Sequence, residues 1–162
     1  MKLAHVRIRN FRCYRNDFEM PISELTCIIA RNDAGKSTVL EALDAFFNLE
    51  KLDSEDRSIG AGNASPIEVT CIFHDLQTRL IVDSDATIAP QDEYLLNADG
   101  FLEVTKRFSG SSPKCDEVLV KAMHPSADRF SDLFSLTIAQ LRRRAQDLGV
   151  DLEGVNQTEK SS

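Results

Sequence analysis

One short loop constrains the fold of this chain more than any other segment. It has the sequence ARNDAGKS at residues 30–37 and continues directly from the β-prone run LTCIIA at residues 25–30, which predicts a short strand buried on both faces. From Lys36 to about Leu49, apolar residues recur at spacings of three and four, which is typical of an amphipathic helix. A strand that turns tightly into a helix points successive backbone N–H groups at the helix N-terminus, where anions bind. This order therefore predicts a P-loop, a backbone cradle for phosphate groups.

The residue types in the loop match the chemistry of a bound nucleotide. Ala34 and Gly35 are small enough for close approach of the backbone, and Lys36 would reach the β- and γ-phosphates. The Ser37 hydroxyl would complete the coordination of Mg²⁺, and Asn32 would add a donor near the γ-phosphate. We therefore predict ATP and Mg²⁺ as cofactors, with Ser37 as the metal ligand. The loop residues assigned to nucleotide binding are Asn32, Asp33, Ala34, Gly35, Lys36, Ser37 and Thr38, although the side chains of Arg31 and Asp33 are interpreted as solvated.

The loop departs from the strict Gly-x-x-x-x-Gly-Lys-Ser/Thr pattern at one position. Ala30 stands where the first glycine usually lies. Alanine is disfavoured at positive φ, so this residue either has ordinary backbone geometry or strains the turn. An alternative interpretation is that residues 35–37 only cap a helix, but it leaves both Lys36 and the spacing unexplained.

Hydrophobic periodicity predicts further strands and one further long helix. Alternation of apolar and polar residues indicates strands, and spacings of three and four indicate helices. The predicted strands are residues 2–9, a turn and strand within 11–20 that Pro21 ends, then 67–73, 101–108 and 117–122; residues 50–66 are predicted as a surface loop, 76–82 as a short helix and about 137–148 as a helix. We expect one α/β domain over residues 1–162. In it, a mixed sheet surrounds the strand–P-loop–helix unit, and antiparallel strands at about 67–122 form a flanking subdomain.

The composition of the 162 residues is that of a globular domain, with 42% hydrophobic and 28% charged residues. No apolar run approaches the roughly 20 residues of a transmembrane helix, and the N-terminus lacks the apolar core of a secretory signal. We therefore expect a cytoplasmic protein without a membrane partner. Four widely spaced cysteines with no C-x-x-C pair predict buried free thiols and not zinc ligands or disulfides.

The charge is acidic overall but unevenly placed. Nineteen lysines and arginines against 26 aspartates and glutamates give a net charge of -7, which argues against the whole chain coating nucleic acid. The first 15 residues are basic and contain no acid, so they predict a local basic edge. A basic triplet at residues 142–144 spreads around most of the circumference of its helix. It indicates a solvated face near a helix C-terminus, not a DNA-binding stripe.

The opening of the chain resembles that of the RecF/SMC-like ABC ATPases, and within them it is most similar to the OLD (overcoming lysogenization defect) family. The resemblance rests on VRIRNFR at residues 6–12, LTCII at 25–29 and NDAGKSTVLEAL at 32–43, and it is strong over residues 1–47. It implies a P-loop NTPase fold, namely the N-terminal lobe of an ABC-type ATPase head. It also implies that Arg12 lies near the ribose or α-phosphate of ATP, whereas Phe11 is interpreted as a core residue.

The sequence shows none of the other groups that such a head needs for hydrolysis. We find no run of four apolar residues ending in Asp-Glu, no Ser-Gly-Gly-rich signature, no switch histidine and no acidic cluster of a Toprim nuclease. No catalytic residue is therefore assigned. Three explanations stay open: a shortened form of a longer protein, which the polar residues 157–162 favour, a natural fragment, or a partner that binds nucleotide without hydrolysing it.

Three functions are compatible with these observations. The resemblance implies the ATP-binding lobe of an OLD-type ATP-dependent nuclease that acts on DNA, with phage defence as a setting. The second is the head of a RecF/SMC-like DNA repair ATPase, which would continue into long heptads, whereas residues 100–162 show strand patterns and one short helix. The third is an interaction module that nucleotide orders without hydrolysis. In the complete protein we expect a homodimer or larger oligomer through the ATPase head, and DNA as a partner.

Overall fold

Seven strands and two α-helices form the regular structure of the residues that the computed structural model describes, which are 1–29, 31, 35–49, 51–62, 64–76, 80–83, 86–88, 94–124 and 131–150. In chain order they are β1 (Lys2–Arg9), β2 (Phe18–Pro21), α1 (Lys36–Asn48), β3 (Ile67–His74), β4 (Leu80–Asp83), β5 (Ala86–Ile88), β6 (Leu102–Ser109), β7 (Lys114–Lys121) and α2 (Ile138–Asp147). The chain divides into two compact units, Met1–Met123 and His124–Ser162. The organisation as one domain over residues 1–162 stays a prediction.

The first unit is built on a five-stranded sheet. Its strand order is β2-β1-β3-β6-β7, so the first strand of the chain lies inside the sheet. Val6 of β1 lies opposite Met20 on one side and Cys71 on the other. β4 and β5 form a separate two-stranded sheet. Every pairing between described strands is antiparallel, so the expected mixed sheet is wrong for this part of the chain.

The segment at residues 25–29, expected to be a strand buried on both faces, lies outside the sheet. Leu25 and Ile29 are 89% and 88% exposed. The Ser23 hydroxyl donates to the Leu25 carbonyl at 2.9 Å, and the Thr26 hydroxyl oxygen accepts from the Ser23 N–H at 2.9 Å. These side chains occupy backbone groups that a strand would have to offer to its neighbours. The turn that they form is the physical reason why the strand does not begin at Leu25.

One face of the five-stranded sheet is apolar, because the alternation in each strand places residues of the same type on the same side. The helix α1 packs on this face, with the Phe46 ring centroid 6.3 Å from that of Phe73. The Lys106 ammonium lies 5.9 Å above the Phe46 ring, so its charge is also accommodated there. The fully buried side chains of the face are Val6, Ile8, Ile67, Val69, Cys71 and Phe108.

The four cysteines are free thiols, as expected, but they are not all buried. Cys71 is buried in the core, whereas Cys13 and Cys27 are exposed and Cys115 is half-buried. Burial raises the pKa of the Cys71 thiol to about 12, so it stays protonated and packs as a small apolar side chain. The prediction of buried thiols is therefore correct for Cys71 alone.

The opposite face of the sheet carries a row of alternating charge. Arg9, Glu68, Arg107 and Glu117 lie side by side on β1, β3, β6 and β7. The Arg107 guanidinium lies 3.0 Å from the Glu68 carboxylate and 2.5 Å from that of Glu117, and the Arg9 guanidinium lies 3.9 Å from Glu68. Each charge therefore faces the opposite charge on the next strand, which stabilises the order of the strands.

A second set of charges on this face is centred on Glu103, whose side chain is only 5% exposed. Its carboxylate accepts from Arg7 at 3.0 Å and from Asn97 at 3.1 Å, and the Lys121 ammonium lies 3.6 Å away. Burial opposes ionisation of Glu103, but the hydrogen bonds from Asn97 and Arg7 and the charge of Lys121 outweigh it and lower the pKa of Glu103. The ionised carboxylate is thus the form that stabilises the fold.

The segment at residues 51–62 and 64–66 is irregular, as predicted, but its centre is buried. Arg57 is 8% exposed and Ser58 3% exposed, and Ser54–Asp56 forms a short 3-10 helix. The Arg57 guanidinium donates to the Gly110 carbonyl at 2.7 Å and to the Ser65 carbonyl. Arg57 thus attaches this segment to the turn between β6 and β7, because it satisfies carbonyl groups in both.

Local periodicity predicted one further helix incorrectly and another correctly. β4 is a strand where residues 76–82 were expected to be helical, and residues 77–79 lie outside the described ranges. In the second unit, α2 falls within the predicted 137–148 segment and begins with a capping box between Thr137 and Gln140. Arg144 forms an ion pair with Asp132 at 3.0 Å, whereas Arg143 is exposed.

Among the described helices, none has both the length and the apolar character needed to cross a membrane.

Replacement of Glu103 by glutamine should lower the free energy of unfolding at neutral pH by about 1–3 kcal/mol, because Arg7 and Lys121 lose a charged partner. The folded-state pKa of Glu103 is lowered, so its contribution is present above its ordinary value of about 4.5 and is lost as the pH falls through the folded pKa. Urea unfolding from neutral pH to about pH 3 should therefore show the two stability curves converging in acid. Glu55→Gln, at an exposed carboxylate, is the control and should follow the native curve. Parallel curves for Glu103→Gln and the native chain would contradict the assigned role.

Candidate functional site

The predicted phosphate cradle ends at the first turn of α1. Gly35 precedes the helix at φ 83°, in the left-handed region that favours glycine. It gives the helix no side-chain cap, and the first turn of α1 contains no acidic residue. The N–H groups at the start of a helix carry a partial positive charge. This end of α1 is therefore suited to an anion. Ala30, Asn32, Asp33 and Ala34, which were predicted as part of the cradle, lie outside the described residues.

The three predicted residues that follow Gly35 lie on the first turn of α1. The Lys36 ammonium donates to the Arg31 carbonyl at 2.8 Å, so the side chain folds back towards the loop that precedes the helix. Ser37 is exposed, and its hydroxyl is accessible to a ligand. Thr38 is 8% exposed, and its hydroxyl lies 3.9 Å from the Cys13 thiol. Lys36 thus contacts the segment before the helix and Ser37 is exposed, whereas Thr38 packs against Cys13.

The turn predicted after β1 is present, and it contacts the start of α1, which was not predicted. Phe11 and Tyr14 exchange backbone hydrogen bonds of 3.1 and 2.9 Å, which closes the turn. The Tyr14 hydroxyl donates to the Gly35 carbonyl at 3.2 Å. A Cβ atom added to Gly35 would lie 2.5 Å from the Cys13 sulfur and 2.9 Å from the Tyr14 hydroxyl oxygen. Residue 35 is therefore glycine for two reasons, its positive φ and the close approach of this turn.

Tyr14 is held in place by its own packing. Its ring stacks on Phe18 of β2 with centroids 4.2 Å apart. Burial, with a further contribution from the neighbouring Cys13, raises the pKa of Tyr14, so its hydroxyl remains a donor to Gly35. The sequence gives no direct signal for Cys13 or Tyr14, because their role depends on a contact with a residue about 20 positions away.

Arg12, predicted to lie beside a bound nucleotide, is held by two carboxylates. Its Nε donates to Asp56 at 2.8 Å, and its Nη1 donates to Glu41 of α1. The hydrogen bond to Asp56 is the largest cause of the raised pKa of Arg12, and the bond to Glu41 acts in the same direction. Phe11 is 1% exposed and belongs to the core, as predicted, and the Arg12 guanidinium lies 5.5 Å from its ring centroid. Arg12 thus joins the turn to both α1 and the 3-10 helix.

A polar cleft of about 270 Å³ lies beside the same turn. Arg15 closes one side, since it donates to the Gly60 carbonyl at 3.3 Å. Asn10 adopts a φ of 57°, and its side chain donates to the Pro66 carbonyl at 3.0 Å. The cleft is lined by Arg9, Asn10, Arg15, Asn16, Asp17, residues 60–62 and Ser65.

The basic N-terminal residues do not form an open basic edge. Lys2 lies 2.9 Å from Glu24, and Arg7 is paired with Glu19 at 2.9 Å. Arg9 and Arg12 are likewise paired, as described above, with carboxylates from other segments. At these four positions the predicted edge is neutralised by acidic residues of later segments, whereas Arg15 is exposed and donates to the Gly60 carbonyl.

The predicted metal ligand, Ser37, lies in the first turn of α1. Within the described ranges, no three His, Cys, Asp or Glu side chains come together as a metal site. Ser37 offers an exposed hydroxyl oxygen at the start of α1. Oxygen is the ligand type that Mg²⁺ prefers, and Mg²⁺ commonly takes several of its ligands from nucleotide phosphates and water. The position of Ser37 fits that arrangement.

Two known groups of proteins are similar to this chain. The model of the AAA ATPase domain family matches residues 1–161, which is nearly the whole chain. A stretch of 42 residues is 43% identical to the OLD nuclease of Thermus scotoductus (strain ATCC 700910 / SA-01). That stretch covers 26% of this chain and 8% of the nuclease, so the similarity concerns a short part of a much longer protein. Together they confirm the resemblance to the N-terminal part of OLD-like ATPases.

Gly35→Ala should lower the free energy of unfolding by about 2–4 kcal/mol, because an alanine at positive φ is strained and its Cβ meets Cys13 and Tyr14. Gly100 supplies a matched control, since its φ is also positive, at 78°, but nothing lies within 4 Å of an added Cβ. Gly100→Ala should therefore cost only the backbone strain, about 1–2 kcal/mol. Urea unfolding measures both values. Equal losses in the two variants would show that the turn does not press on Gly35.

Proposed function

The chain belongs to the AAA ATPase domain family, and from that membership and the site we propose that it binds ATP with Mg²⁺ at the start of α1. The observation that carries the proposal is the helix N-terminus behind Gly35, which has no side-chain cap, with Lys36 folded back towards the Arg31 carbonyl. A phosphate placed there would receive N–H groups and the positive end of the helix. Nothing acidic in the first turn of α1 would oppose it.

Each residue of the site has a distinct part in this proposal. Lys36 would exchange its hydrogen bond to the Arg31 carbonyl for the β- and γ-phosphates, which attract its charge more strongly. Ser37 would give its hydroxyl oxygen to Mg²⁺. Arg12 would contact the ribose or α-phosphate while its guanidinium remains bonded to Asp56. The other proposed binding residues are Asn32, Asp33, Ala34, Gly35 and Thr38.

Binding and hydrolysis are separate in this proposal. Phosphoryl transfer needs a positioned water and stabilisation of developing charge, in addition to a cradle for phosphates. Glu41 and Asp56 are the carboxylates that hold Arg12, and both are engaged in that contact. We therefore assign nucleotide binding to this chain and hydrolysis to the complete ATPase head, as a homodimer or larger oligomer.

Lys36→Ala should weaken ATP binding about 10- to 100-fold, because a charge-assisted contact contributes roughly 1.5–3 kcal/mol. Isothermal titration of the chain with ATP and Mg²⁺ measures the change. Lys51→Ala removes an exposed lysine outside the loop and should leave the affinity unchanged. The native chain should bind ATP more tightly with Mg²⁺ than with a chelator. Ser37→Ala should reduce this difference in ATP affinity, since the lost hydroxyl acts through the metal. If the native chain and Lys36→Ala bind ATP equally, or if neither binds it, this loop is not the nucleotide site.

The finer proposal is that the complete protein is an OLD-type ATP-dependent nuclease that acts on DNA, with phage defence as its setting and the cytoplasm as its location. What supports it is the 43% identity to an OLD nuclease over 42 residues, together with the resemblance of the opening segments. The expected result is cleavage of plasmid DNA by the complete protein, with a dependence on ATP that Lys36→Ala abolishes. If Lys36→Ala leaves cleavage unchanged, the nuclease activity does not depend on this nucleotide site. An absence of cleavage with intact ATP binding would favour a nucleotide-ordered interaction module.

A further inference from the structure

The two edges of the five-stranded sheet differ in their protection. β2 forms one edge with only four residues, and Pro21 ends it. β7 forms the other edge with eight residues, Lys114–Lys121, and contains no proline. Short length and proline are two of the means by which an edge strand avoids pairing with another chain, beside charged side chains and β-bulges. β7 lacks both of them.

The middle of β7 is open to a further strand. At its start, Lys114 forms a bridge with Lys51, and beyond its end the Met123 N–H donates to the Leu96 carbonyl at 2.8 Å. Between these two contacts, the outer side of residues 115–122 has no backbone partner among the described parts of the chain. The side chains here are apolar and accessible: Val118, Leu119 and Val120 are 59%, 41% and 41% exposed.

Symmetry restricts how a second copy of this strand can pair with the first. Two identical antiparallel edge strands in a continuous sheet are related by a two-fold axis perpendicular to the sheet. Such an axis keeps each residue on its own face, and residues that lie opposite each other must share a face. One residue of the strand must therefore lie opposite itself. In the exposed run the choice is between Val118, Leu119 and Val120.

Only a pairing centred on Leu119 matches the side chains. It places Glu117 opposite Lys121 twice, and Val118 opposite Val120 twice, so charges meet opposite charges and apolar residues meet apolar residues. A pairing centred on Val118 would place Glu117 opposite Leu119. A pairing centred on Val120 would place Leu119 opposite Lys121. Both alternatives set a charge against an apolar side chain, which an interface disfavours.

The same register continues the row of charges across the boundary between the copies. Within one chain the row is positive, negative, positive and negative, and it ends at Glu117 on β7. The next position in the row would be Lys121 of the second copy, which is itself 3.6 Å from its own Glu103. The alternation of charge is thus maintained from one sheet into the other. No other register that is centred on the exposed run has this property.

We propose that β7 pairs with β7 of a second copy of this chain, antiparallel and centred on Leu119, to form one ten-stranded sheet. The contact is built from backbone hydrogen bonds, the apolar residues 118–120 and two Glu117–Lys121 ion pairs. It does not depend on the proposed nucleotide site. Pairing along a single strand buries less surface than the roughly 1,600 Å² of a standard interface, so the association is expected at micromolar concentrations.

The charge pairs give a test of both the partner and the register. In the absence of nucleotide and with a chelator present, sedimentation velocity of the native chain at about 10–200 μM should show dimers. Glu117→Lys would face Lys121 of the second copy, and Lys121→Glu would face Glu117, so each variant alone should be monomeric. An equimolar mixture of the two variants should again form dimers, because every facing pair then has opposite charges. Circular dichroism checks that each variant is folded.

Cross-linking provides a second test that leaves the charges intact. Leu119→Cys should form a disulfide-linked dimer on mild oxidation, because residue 119 lies opposite itself. Val118→Cys is the matched control and should not cross-link above the level of the native chain, since it lies opposite Val120. A monomeric native chain, cross-linking through Val118→Cys in place of Leu119→Cys, or a mixture of charge variants that stays monomeric would each overturn the proposal.

Discussion

Burial of the Phe11 side chain is the contact on which the geometry of the candidate site depends. It is 1% exposed, and its backbone is bridged to both Tyr14 and Arg57. The neighbours Asn10 and Arg12 have φ values of 57° and 49°, a conformation that costs an L-residue roughly 1–2 kcal/mol. Burial of a phenylalanine side chain contributes about 1.5–3 kcal/mol, and the hydrogen bonds of both neighbours to distant segments add to it. The turn therefore owes its shape to tertiary packing and not to local preference.

This turn explains why α1 begins without a capping side chain. Tyr14 and Cys13 occupy the space beside Gly35, so a larger residue does not fit there. The loss is small, because a glycine at the N-cap is only a few tenths of a kcal/mol worse than the best capping residues, by the order of magnitude seen in helices. What is gained is that no capping side chain occupies the first N–H groups, since a serine or aspartate cap would accept one of them. The start of α1 thus keeps most of its helical stability although no side chain of Gly35 caps it.

The sequence was sufficient to predict the secondary structure of a segment where a local pattern decides it. β1, β3 and α1 were predicted nearly to the residue, because alternation and three-to-four spacing each require one backbone geometry. It was insufficient for residues 25–29, since an apolar run indicates burial on both faces without identifying what would cover them. In the described structure Leu25 and Ile29 remain exposed.

The site shows the same division between local and long-range information. Lys36 and Ser37 were predicted as binding residues from spacing alone, because the spacing of a phosphate loop is itself the chemical requirement. The contacts of Arg12 with Glu41 and Asp56 join residues 29 and 44 positions apart, and no local pattern encodes them. The resemblance predicts Arg12 as a binding residue, but only the fold shows which carboxylates hold it.

The two carboxylates that hold Arg12 do so with unequal strength, and this inequality determines how Arg12 can reach a phosphate. Glu41 is 41% exposed and Arg12 is 42% exposed, so water screens their ion pair, which contributes on the order of 0–1 kcal/mol. Asp56 is only 13% exposed, and it is additionally tied to Arg12 through its backbone carbonyl, at 2.7 Å from the Arg12 nitrogen. A phosphate would therefore displace Glu41 at little cost while Asp56 keeps the guanidinium in place. In the proposed binding mode, Arg12 would therefore turn towards the nucleotide without releasing the turn that positions Gly35.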